Sequence, residues 1–190
     1  MNRHLVVMVK EPRPGRVKTR LGADIGMVPA AWWSRHQCAA LLRRLQDPRW
    51  QLRLAVTPDA EGLASRVWPG QLPRLPQGAG DLGDRMARIF RSLPPGPAVI
   101  VGADIPEMAP RHIARAFTAL GPAEAVLGPA PDGGYWLIGL KRSAPPPPAL
   151  FAGVRWSTRH AMADTMASLA PLRVALADTL ADVDTASDMR

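Results

Sequence analysis

A short apolar run that ends in a loop of cations is the feature that most constrains how this chain can fold. Leu5 to Val9 has the length and continuous hydrophobicity of a buried strand, and the loop KEPRPGRVKTRL follows it at Lys10 to Leu21. The loop carries five basic side chains, Lys10, Arg13, Arg16, Lys18 and Arg20. An α/β domain presents cations to a phosphate-bearing ligand in this way. The pattern therefore predicts a nucleotide site after the first strand.

This loop does not have the Walker A pattern of P-loop ATPases. The Walker motif ends in adjacent Gly-Lys followed by Ser or Thr, whereas Arg16 and Val17 separate Gly15 from Lys18 here. Because the glycine and the lysine are not adjacent, the loop cannot wrap a phosphate as a P-loop does. P-loop ATPase chemistry is therefore disfavoured.

Strand and helix patterns alternate along the rest of the chain, which is typical of an α/β sheet with crossover helices. Short apolar runs predict strands at residues 5–9, 52–56, 72–76, 98–101, 125–127, 135–140 and 172–176. Apolar residues spaced three and four apart predict helices at 29–45, 59–67, 81–93 and 110–120, and a last helix from Thr158. Leu82 is expected on the apolar face of its helix. The 190 residues and 47% hydrophobic content suit one domain over residues 1–190.

The chain is strongly basic, with a formal charge of +8 and a sequence pI near 11.1. This balance suits an anionic partner, either a nucleic acid or a phosphate-rich ligand. The basic residues are dispersed, and no basic run is interleaved with aromatic residues as in single-strand binders. Nucleic acid is therefore disfavoured as a partner, and codon usage in a GC-rich genome explains the excess of arginine as well.

No segment has the pattern of a signal peptide or the roughly 20 apolar residues needed to span a bilayer. We therefore expect a cytoplasmic protein without a membrane span. The lone Cys38 lies among apolar neighbours in a predicted helix and is expected to be buried. None of the four histidines has a partner at metal-ligand spacing, so no zinc site is predicted.

Asp104 is the strongest candidate for a catalytic or metal-binding role. It follows the apolar run Ala98 to Val101 in the sequence Gly-Ala-Asp-Ile-Pro. Open α/β sheets bind ligands at the carboxyl ends of such strands. A carboxylate there can hold Mg²⁺ or Mn²⁺ against a diphosphate. The alternative is a turn residue that caps the following helix.

A second acidic group, Asp182-Val183-Asp184, lies near the end of the chain. Asp184 could converge with Asp104 on a divalent ion, because carboxylates from different strands are needed to hold one. Equally, Asp182 and Asp184 could stabilise the start of a helix. Thr185 and Asp188 have the spacing of a capping-box variant, so Asp188 is expected to be structural.

Two glycine-containing segments are further candidates for ligand contacts. In Pro131 to Tyr135, PDGGY, Asp132 could act on a substrate, while Gly133, Gly134 and Tyr135 could lie against it. The structural alternative is a tight turn.

The second of these segments, Gln77 to Gly83, QGAGDLG, leads into a predicted helix whose N-terminal amides could bind an anion or a base edge. Gln77 and Gly80 are the candidate contacts in this entry. Arg85 lies one turn inside the helix, where it could bind phosphate or form a surface ion pair.

Six blocks together carry a resemblance to a known family: VMVKEPRPGRVKTRLG, QGAGDLGDRM, VGADIPEM, GPAPDGGYWLIGL, VRWSTRHAM and LADVDTASDM. In this order they resemble a bacterial family of glycosyltransferase-A-type proteins, domain of unknown function 2064, whose members are labelled as transferases associated with radical-SAM or selenium-related gene clusters. The family belongs to the nucleotide-diphospho-sugar transferase superfamily. The resemblance spans nearly the whole chain and implies a single-domain, Rossmann-like three-layer α/β/α fold with a mixed, mainly parallel sheet.

The resemblance also implies which residues of the first loop bind the nucleotide. By position, Lys10, Lys18 and Arg20 would hold phosphates, and Asp104 would hold the metal in place of the superfamily's Asp-x-Asp. Gly15, in the same loop, is a further candidate for a phosphate contact. The position lacks a true Asp-x-Asp pair, so Asp104 would act without an acidic neighbour two residues away.

One further part of the sequence resembles relatives, and another departs from them. The ending DVDTASDM is similar to the Asn-x-Asn-Thr-x-x-Asp ending of molybdenum-cofactor guanylyltransferases, which implies Asp184 as a second metal ligand. Ala103 and Ile105 stand where relatives more often have Ser and Cys, so any role of those side chains is absent here.

These residues support a leading function and two alternatives. The leading hypothesis is metal-dependent glycosyl transfer from a nucleoside-diphosphate sugar to a small acceptor, with Asp132 orienting the sugar or acceptor or acting as a general base. The first alternative is a nucleotidyltransferase, in which Lys18 and Arg20 stabilise charge on a nucleoside triphosphate attacked by a phosphate or phosphonate, releasing pyrophosphate. The second is a non-catalytic module that binds nucleotides or nucleic acid.

Overall fold

The computed structural model describes residues 2–188, and seven strands form one sheet there. The strands are β1 (His4–Lys10), β2 (Gln51–Thr57), β3 (Arg74–Pro76), β4 (Ala98–Gly102), β5 (Ala125–Pro129), β6 (Tyr135–Leu140) and β7 (Val174–Leu176). The helices are α1 (Thr19–Ile25), α2 (Met27–Arg44), α3 (Asp59–Ala64), α4 (Leu82–Ser92), α5 (Pro110–Ala119) and α6 (Ala161–Ser168), with a 3₁₀ turn at Ala186–Asp188. Met189, the last residue of the block LADVDTASDM, lies outside the described residues.

The sheet is mixed and mainly parallel, as the resemblance implies. Its strand order is β3-β2-β1-β4-β6-β5-β7. β1 pairs in parallel with β2 and β4, β2 with β3, and β5 with β7. Only β6 runs the other way, antiparallel to β4 and β5. The fold class predicted from the sequence is confirmed.

Helices cover both faces of the sheet. Successive side chains of a strand point to opposite faces, so neighbouring residues of β1 pack against different helices. Val7 of β1 belongs to the core cluster that contains Leu41 and Leu42 of α2. Its neighbour Val6 belongs to a second cluster, with Ile89 and Phe90 of α4. The apolar run of β1 is therefore continuous because both faces are buried. Cys38 is buried in the first cluster, as predicted.

Several local predictions differ from the structure. The helix predicted at 59–67 ends at Ala64, and the strands predicted at 72–76 and 172–176 begin at Arg74 and Val174. The sequence pattern does not predict the helix α1, because it is only seven residues long and begins directly after Lys18, whose backbone is left-handed with φ 47°. Leu82 is exposed at the first position of α4, where it lies outside the packed face. The last helix starts at Ala161 and not near Thr158, because the Thr158 hydroxyl donates to the Arg155 carbonyl and accepts from the His160 amide in a preceding turn.

No helix within residues 2–188 is both long enough and apolar enough to cross a bilayer.

Candidate active site

The candidate site lies where the direction of strand order reverses in the sheet. From β1 the chain continues to β2 on one side and later to β4 on the other. The crevice at such a switch point, outside the carboxyl ends of the strands, is where open α/β sheets bind ligands. Lys10 ends β1 and Gly102 ends β4, so the cationic loop and Asp104 leave the sheet side by side.

Three carboxylates converge at this point. Asp104 follows β4, while Asp182 and Asp184 lie on the C-terminal segment, which the Val183 amide fixes by donating to the Asp104 carbonyl at 3.2 Å. One oxygen from each carboxylate lies within 4.8 Å of the others, and all three side chains are half-buried. Residues two apart in an extended chain share a face, which explains why Asp182 and Asp184 both point to Asp104.

The ammonium of Lys18 lies among these carboxylates. Its Nζ is 2.6 Å from Asp104 Oδ2 and 3.1 Å from Asp184 Oδ1, and its side chain is only 9% exposed. Burial would lower the pKa of Lys18, but the charges of and hydrogen bonds to the two carboxylates outweigh it and raise that pKa. The exposed Arg20 reaches the same cluster, with Nη1 3.2 Å from Asp184 Oδ2.

Asp182 is the carboxylate of the cluster without a close cation among the described residues. Burial raises its pKa above the ordinary value, and the negative charges of Asp104 and Asp184 raise it further. Three crowded oxygen donors with incomplete charge compensation fit a hard divalent ion such as Mg²⁺ or Mn²⁺. The residues present therefore fit the metal that the resemblance implies.

Asp188 fixes the conformation of the segment that carries Asp184. Its Oδ2 accepts hydrogen bonds from the backbone amides of Asp184 (3.0 Å) and Thr185 (2.8 Å) and from the Thr185 hydroxyl (2.8 Å). These hydrogen bonds lower the pKa of Asp188. Its carboxylate is thus committed to the turn, in agreement with the structural role predicted for it.

Three clefts meet at Gly102 and Asp104. The loop cleft, about 400 Å³, is lined by the cationic loop and α2, including Lys10, Lys18, Arg20, Trp33 and Trp68. The turn cleft, about 630 Å³, lies beside the PDGGY turn and is lined by Asp132, Gly134, Tyr135, Trp156 and Arg159. The sheet cleft, about 330 Å³, is lined by Lys10, Gln77, Leu82, Met86 and Tyr135. Together their volumes can accommodate a nucleotide and a second small molecule.

The other predicted phosphate-binding residues are placed differently. Gly15 lies at an exposed bend with φ 74°, and no atom would contact a Cβ there within 4 Å. Gln77 is buried and donates from Nε2 to the carbonyls of Val9 and Ala55. Gln77 therefore ties the loop after β3 to the sheet.

The glycine-rich entry to α4 is held by its own side chains. The Gly80 carbonyl accepts from Arg85 Nε at 3.1 Å. The Asp84 amide is not free to donate to an external anion in this arrangement, because it donates to Asp81 Oδ1 at 2.9 Å in a capping box. The acid at the start of the helix thus occupies one of the positions predicted for a bound anion.

The PDGGY turn faces the turn cleft. Asp132 is exposed, and its Oδ1 accepts from the Gly134 amide at 2.9 Å. Gly133 has φ 86°, and a Cβ there would lie 2.3 Å from the Arg159 carbonyl oxygen, so only glycine fits. Burial raises the pKa of Tyr135, whose hydroxyl accepts from the Thr165 hydroxyl at 3.3 Å.

The sequence predicted that one site contains Asp104, Asp184, Lys18 and Arg20, and these side chains lie together in the structure. The sequence pattern was not taken to indicate Asp182 as a ligand. The signal for it was present, because Asp182 and Asp184 alternate in an extended segment. Gly133 and Gln77 make structural contacts, whereas Asp132 and Tyr135 line a cleft that reaches Asp104.

The fold is that of nucleotide-diphospho-sugar transferase-like proteins. Residues 40–158 match the family described as "Uncharacterized protein conserved in bacteria (DUF2064)", and the chain belongs to that family. The match includes Asp104 and Asp132 but stops short of Lys18 and Asp184. Comparison of the sequence with curated proteins gave no significant match.

Solved structures agree with this placement. A provisionally named nucleotide-diphospho-sugar transferase from Desulfovibrio desulfuricans G20 is 31% identical and superposes with a TM-score of 0.90, over 100% of this chain and 85% of that one. Rv0371c of Mycobacterium tuberculosis H37Rv in complex with manganese is 17% identical, with a TM-score of 0.59 over 100% of this chain and 97% of that one. An inositol-1-phosphate CTP transferase from T. maritima is 10% identical, with a TM-score of 0.57 over 100% and 92%. The last two comparisons show a shared fold.

Proposed function

We propose that this protein is a metal-dependent transferase that acts on a nucleotide-activated substrate, with glycosyl transfer from a nucleoside-diphosphate sugar to a small acceptor as the leading reaction. The observation that carries the proposal is the convergence of Asp104, Asp182 and Asp184 with Lys18 at the sheet's switch point. A site with clustered carboxylates beside cations suits a ligand that brings both a divalent ion and phosphates.

In this proposal the three carboxylates hold Mg²⁺ or Mn²⁺. The bound ion supplies charge neutralisation for the diphosphate that leaves the sugar. Asp188 acts as a positioning residue, because its hydrogen bonds orient the Asp184 backbone.

The cationic loop binds the diphosphate in the loop cleft. Lys18 turns its ammonium from the carboxylates to the phosphate oxygens, while Lys10 and Arg20 contact the same group from the cleft walls. The bend at Gly15 lets the loop backbone approach the phosphates. The cations stabilise the diphosphate more strongly as it leaves the sugar than in the bound substrate, because negative charge builds up on it in the transition state.

The sheet cleft holds the base. Gln77 lines its wall. Gly80 and Arg85 are not among the lining residues, but they are hydrogen-bonded to each other beside Leu82 and would contact the nucleotide from there. Leu82, exposed at the start of this helix, provides an apolar surface for a planar base.

The turn cleft holds the acceptor and the sugar. Asp132 uses Oδ1 to bind the Gly134 amide, which leaves Oδ2 to accept a proton from an acceptor hydroxyl or to bind a sugar hydroxyl. Gly134 and Tyr135 form the wall against which the sugar lies, and Gly133 fixes the turn.

Nucleotidyl transfer is the second candidate, and the position of Lys18 favours it. An ammonium within hydrogen-bond distance of two carboxylates of the cluster can contact the same phosphate as a metal held there. Attack at that phosphorus by a phosphate or phosphonate would expel pyrophosphate, and Lys18 with Arg20 would stabilise the developing charge.

Turnover assays with two substrate panels distinguish these reactions. The purified protein is incubated with Mg²⁺ or Mn²⁺ and either nucleoside triphosphates or nucleoside-diphosphate sugars, each with small acceptors. The proposal predicts release of a nucleoside diphosphate from a nucleotide sugar. Pyrophosphate release from a triphosphate would instead assign the second candidate, and nucleotide binding without turnover would support the non-catalytic alternative.

Matched variants connect the activity to the site. Asp104→Asn should lower turnover by about 10²-fold or more, because it removes a carboxylate from the metal cluster. Asp132→Asn should lower it by about 10²-fold or more if Asp132 is the general base. Asp47→Asn is the control. It removes an ion-pair partner of Arg49, lies outside the lining of the three clefts and should leave turnover unchanged.

A further inference from the structure

A cavity of about 390 Å³ lies at the opposite end of the sheet from the candidate active site. Its walls come from the end of α4 and the loop after it, from the end of β6 and the segment that follows, and from Leu172. Leu140, the last residue of β6, pairs with Ala98, the first residue of β4, whereas Asp104 follows the other end of β4. We call this space the basal cavity. Its volume lies within the range of small-molecule sites.

Most of the lining of the basal cavity is apolar. Phe90 and Leu140 are buried members of the core cluster on this face of the sheet, and Leu172 packs against the same cluster. Pro145 and Pro146 line the cavity from the segment after β6, where their rings restrict the backbone. These walls suit the apolar body of a small ligand.

The guanidinium of Arg142 is fixed at the wall of the basal cavity by backbone carbonyls. Its Nη1 donates to Pro94 at 2.8 Å and to Gly96 at 3.1 Å, and its Nη2 donates to Leu93 at 2.8 Å. These hydrogen bonds use three of the five N–H donors of the side chain. Carbonyl oxygens carry no net charge, so they hold the cation in place without neutralising it. Burial accordingly lowers the pKa of Arg142.

Two further cations line the basal cavity. Lys141 donates from Nζ to the Gly121 carbonyl at 2.6 Å, which again leaves the charge uncompensated. Arg91 is exposed in the last turn of α4. Among residues 2–188, no carboxylate forms a salt bridge with Arg91, Lys141 or Arg142.

Glu124, an acid of the same wall, already has a partner. Its Oε2 accepts from the Arg173 amide at 2.9 Å and lies 3.6 Å from Arg173 Nε. The hydrogen bond from this amide is the main cause that lowers the pKa of Glu124, and the charge of Lys141 is the smallest. The basal cavity therefore combines apolar walls with a surplus of positive charge.

We propose that the basal cavity binds a small amphiphilic anion, a molecule with an apolar body and one carboxylate, sulfonate or phosphate group. The apolar body would lie against Phe90, Leu140 and Leu172. The anionic group would contact Arg91, Lys141 and Arg142. A neutral molecule of the same shape is a poorer occupant, because it leaves the three cations without a counter-ion.

The basal cavity is separate from the candidate active site but shares two elements with it. α4 begins at Leu82, which lines the sheet cleft, and its last turns carry Phe90 and Arg91. β6 begins at Tyr135, in the turn cleft, and ends at Leu140. The inference does not rest on the proposed function, because the walls and charges of the basal cavity alone carry it.

Fluorescence titration of the full chain with anilinonaphthalene sulfonate, an aromatic apolar body with one sulfonate, tests the proposal. Wild-type protein should bind this dye at a saturable site. Octanoate should displace the dye at a concentration about tenfold or more below that of octanol, which has the same alkyl chain without the charge. Arg91→Gln/Lys141→Gln should weaken dye binding by about tenfold or more, because two charge-assisted contacts are lost.

The matched control is Arg66→Gln/Arg111→Gln, which removes the same charge from two exposed arginines outside the cavity lining and should leave dye binding unchanged. Circular dichroism verifies that the variants are folded. If the double variant at the cavity does not fold, Arg91→Gln alone, at an exposed position, should weaken dye binding by several-fold. The proposal is overturned if wild-type protein shows no saturable dye site, if octanol displaces the dye as well as octanoate does, or if the cavity variant binds the dye as tightly as the control.

Discussion

The ammonium of Lys18 lies 2.6 Å from the carboxylate of Asp104, a residue 86 positions further along the chain. This pair joins the loop after β1 to the loop after β4 across the switch point of the sheet. It places a nearly buried cation at the position where the carboxylates would hold a divalent ion.

Lys18→Met should destabilise the metal-free protein and make it more responsive to metal. Removing the ammonium leaves Asp104 and Asp184 close together without their shared partner, at a cost of about 1–2 kcal/mol, limited because both carboxylates are partly exposed. Added Mn²⁺ should therefore raise the melting temperature of the variant more than that of the wild type. Arg20→Met, which removes an exposed partner of Asp184, is the control and should change stability by less than about 1 kcal/mol.

Asp188→Ala should weaken metal binding without removing a ligand. The substitution deletes three hydrogen bonds that orient the segment carrying Asp184. Loss of such orienting contacts costs about tenfold or more in metal affinity. Calorimetric titration with Mn²⁺ measures the change. An affinity equal to that of the wild type would mean that the turn does not position Asp184.

Gly133→Ala should destabilise the fold more than Gly15→Ala. Both glycines have positive φ, which costs about 1–2 kcal/mol for a side chain. Only at Gly133 would the new Cβ also meet the Arg159 backbone at 2.3 Å, whereas Gly15 faces open space. Chemical denaturation should therefore show a loss of about 2 kcal/mol or more at Gly133. Equal losses at both positions would show that the Arg159 backbone can move away from a Cβ at position 133.

Stability should fall between pH 7 and pH 5, partly through His112. Its Nδ1 accepts a hydrogen bond from the Ala109 amide at 3.1 Å, and burial, with the charges of neighbouring arginines, lowers its pKa below the ordinary 6.5. Because the folded-state pKa lies below the unfolded one, the stabilisation is complete above about pH 6.5 and is lost as the pH falls through the folded value.

His112→Asn retains an oxygen acceptor for the Ala109 amide but cannot be protonated in this range. Urea denaturation at several pH values should therefore show a smaller decrease in the free energy of unfolding for this variant. His36→Asn, at an exposed position, is the control. If His112→Asn and wild type lose stability equally on acidification, His112 does not carry the effect.

The strands of the sheet were predictable because their burial is recorded in continuous or alternating apolar residues. β1 and β4 are buried on both faces and contain almost no polar residue, so each is recognisable alone. The helix α1 was not predictable in the same way. It is short, contains Gly22, and depends on a left-handed residue at Lys18 that no local pattern requires.

The candidate site was predictable in its members and only partly in its arrangement. Asp104 was identifiable because it follows a buried strand, and Asp184 because of its motif. The contact of Lys18 with both is a tertiary pairing over 86 and 166 residues, which the spacing of residues does not encode. Asp182 joins the cluster because the C-terminal segment is extended and pairs with the loop of Asp104, a contact visible only in three dimensions.

The most direct measurement is a titration of Mn²⁺ followed by electron paramagnetic resonance, on wild-type protein and on Asp104→Asn/Asp184→Asn, with Asp47→Asn as control. The proposed metal site predicts one saturable Mn²⁺ site in wild type and control that the double variant has lost, while circular dichroism shows all three folded. Saturable binding of equal affinity in the double variant would contradict the assignment of the metal site to Asp104, Asp182 and Asp184.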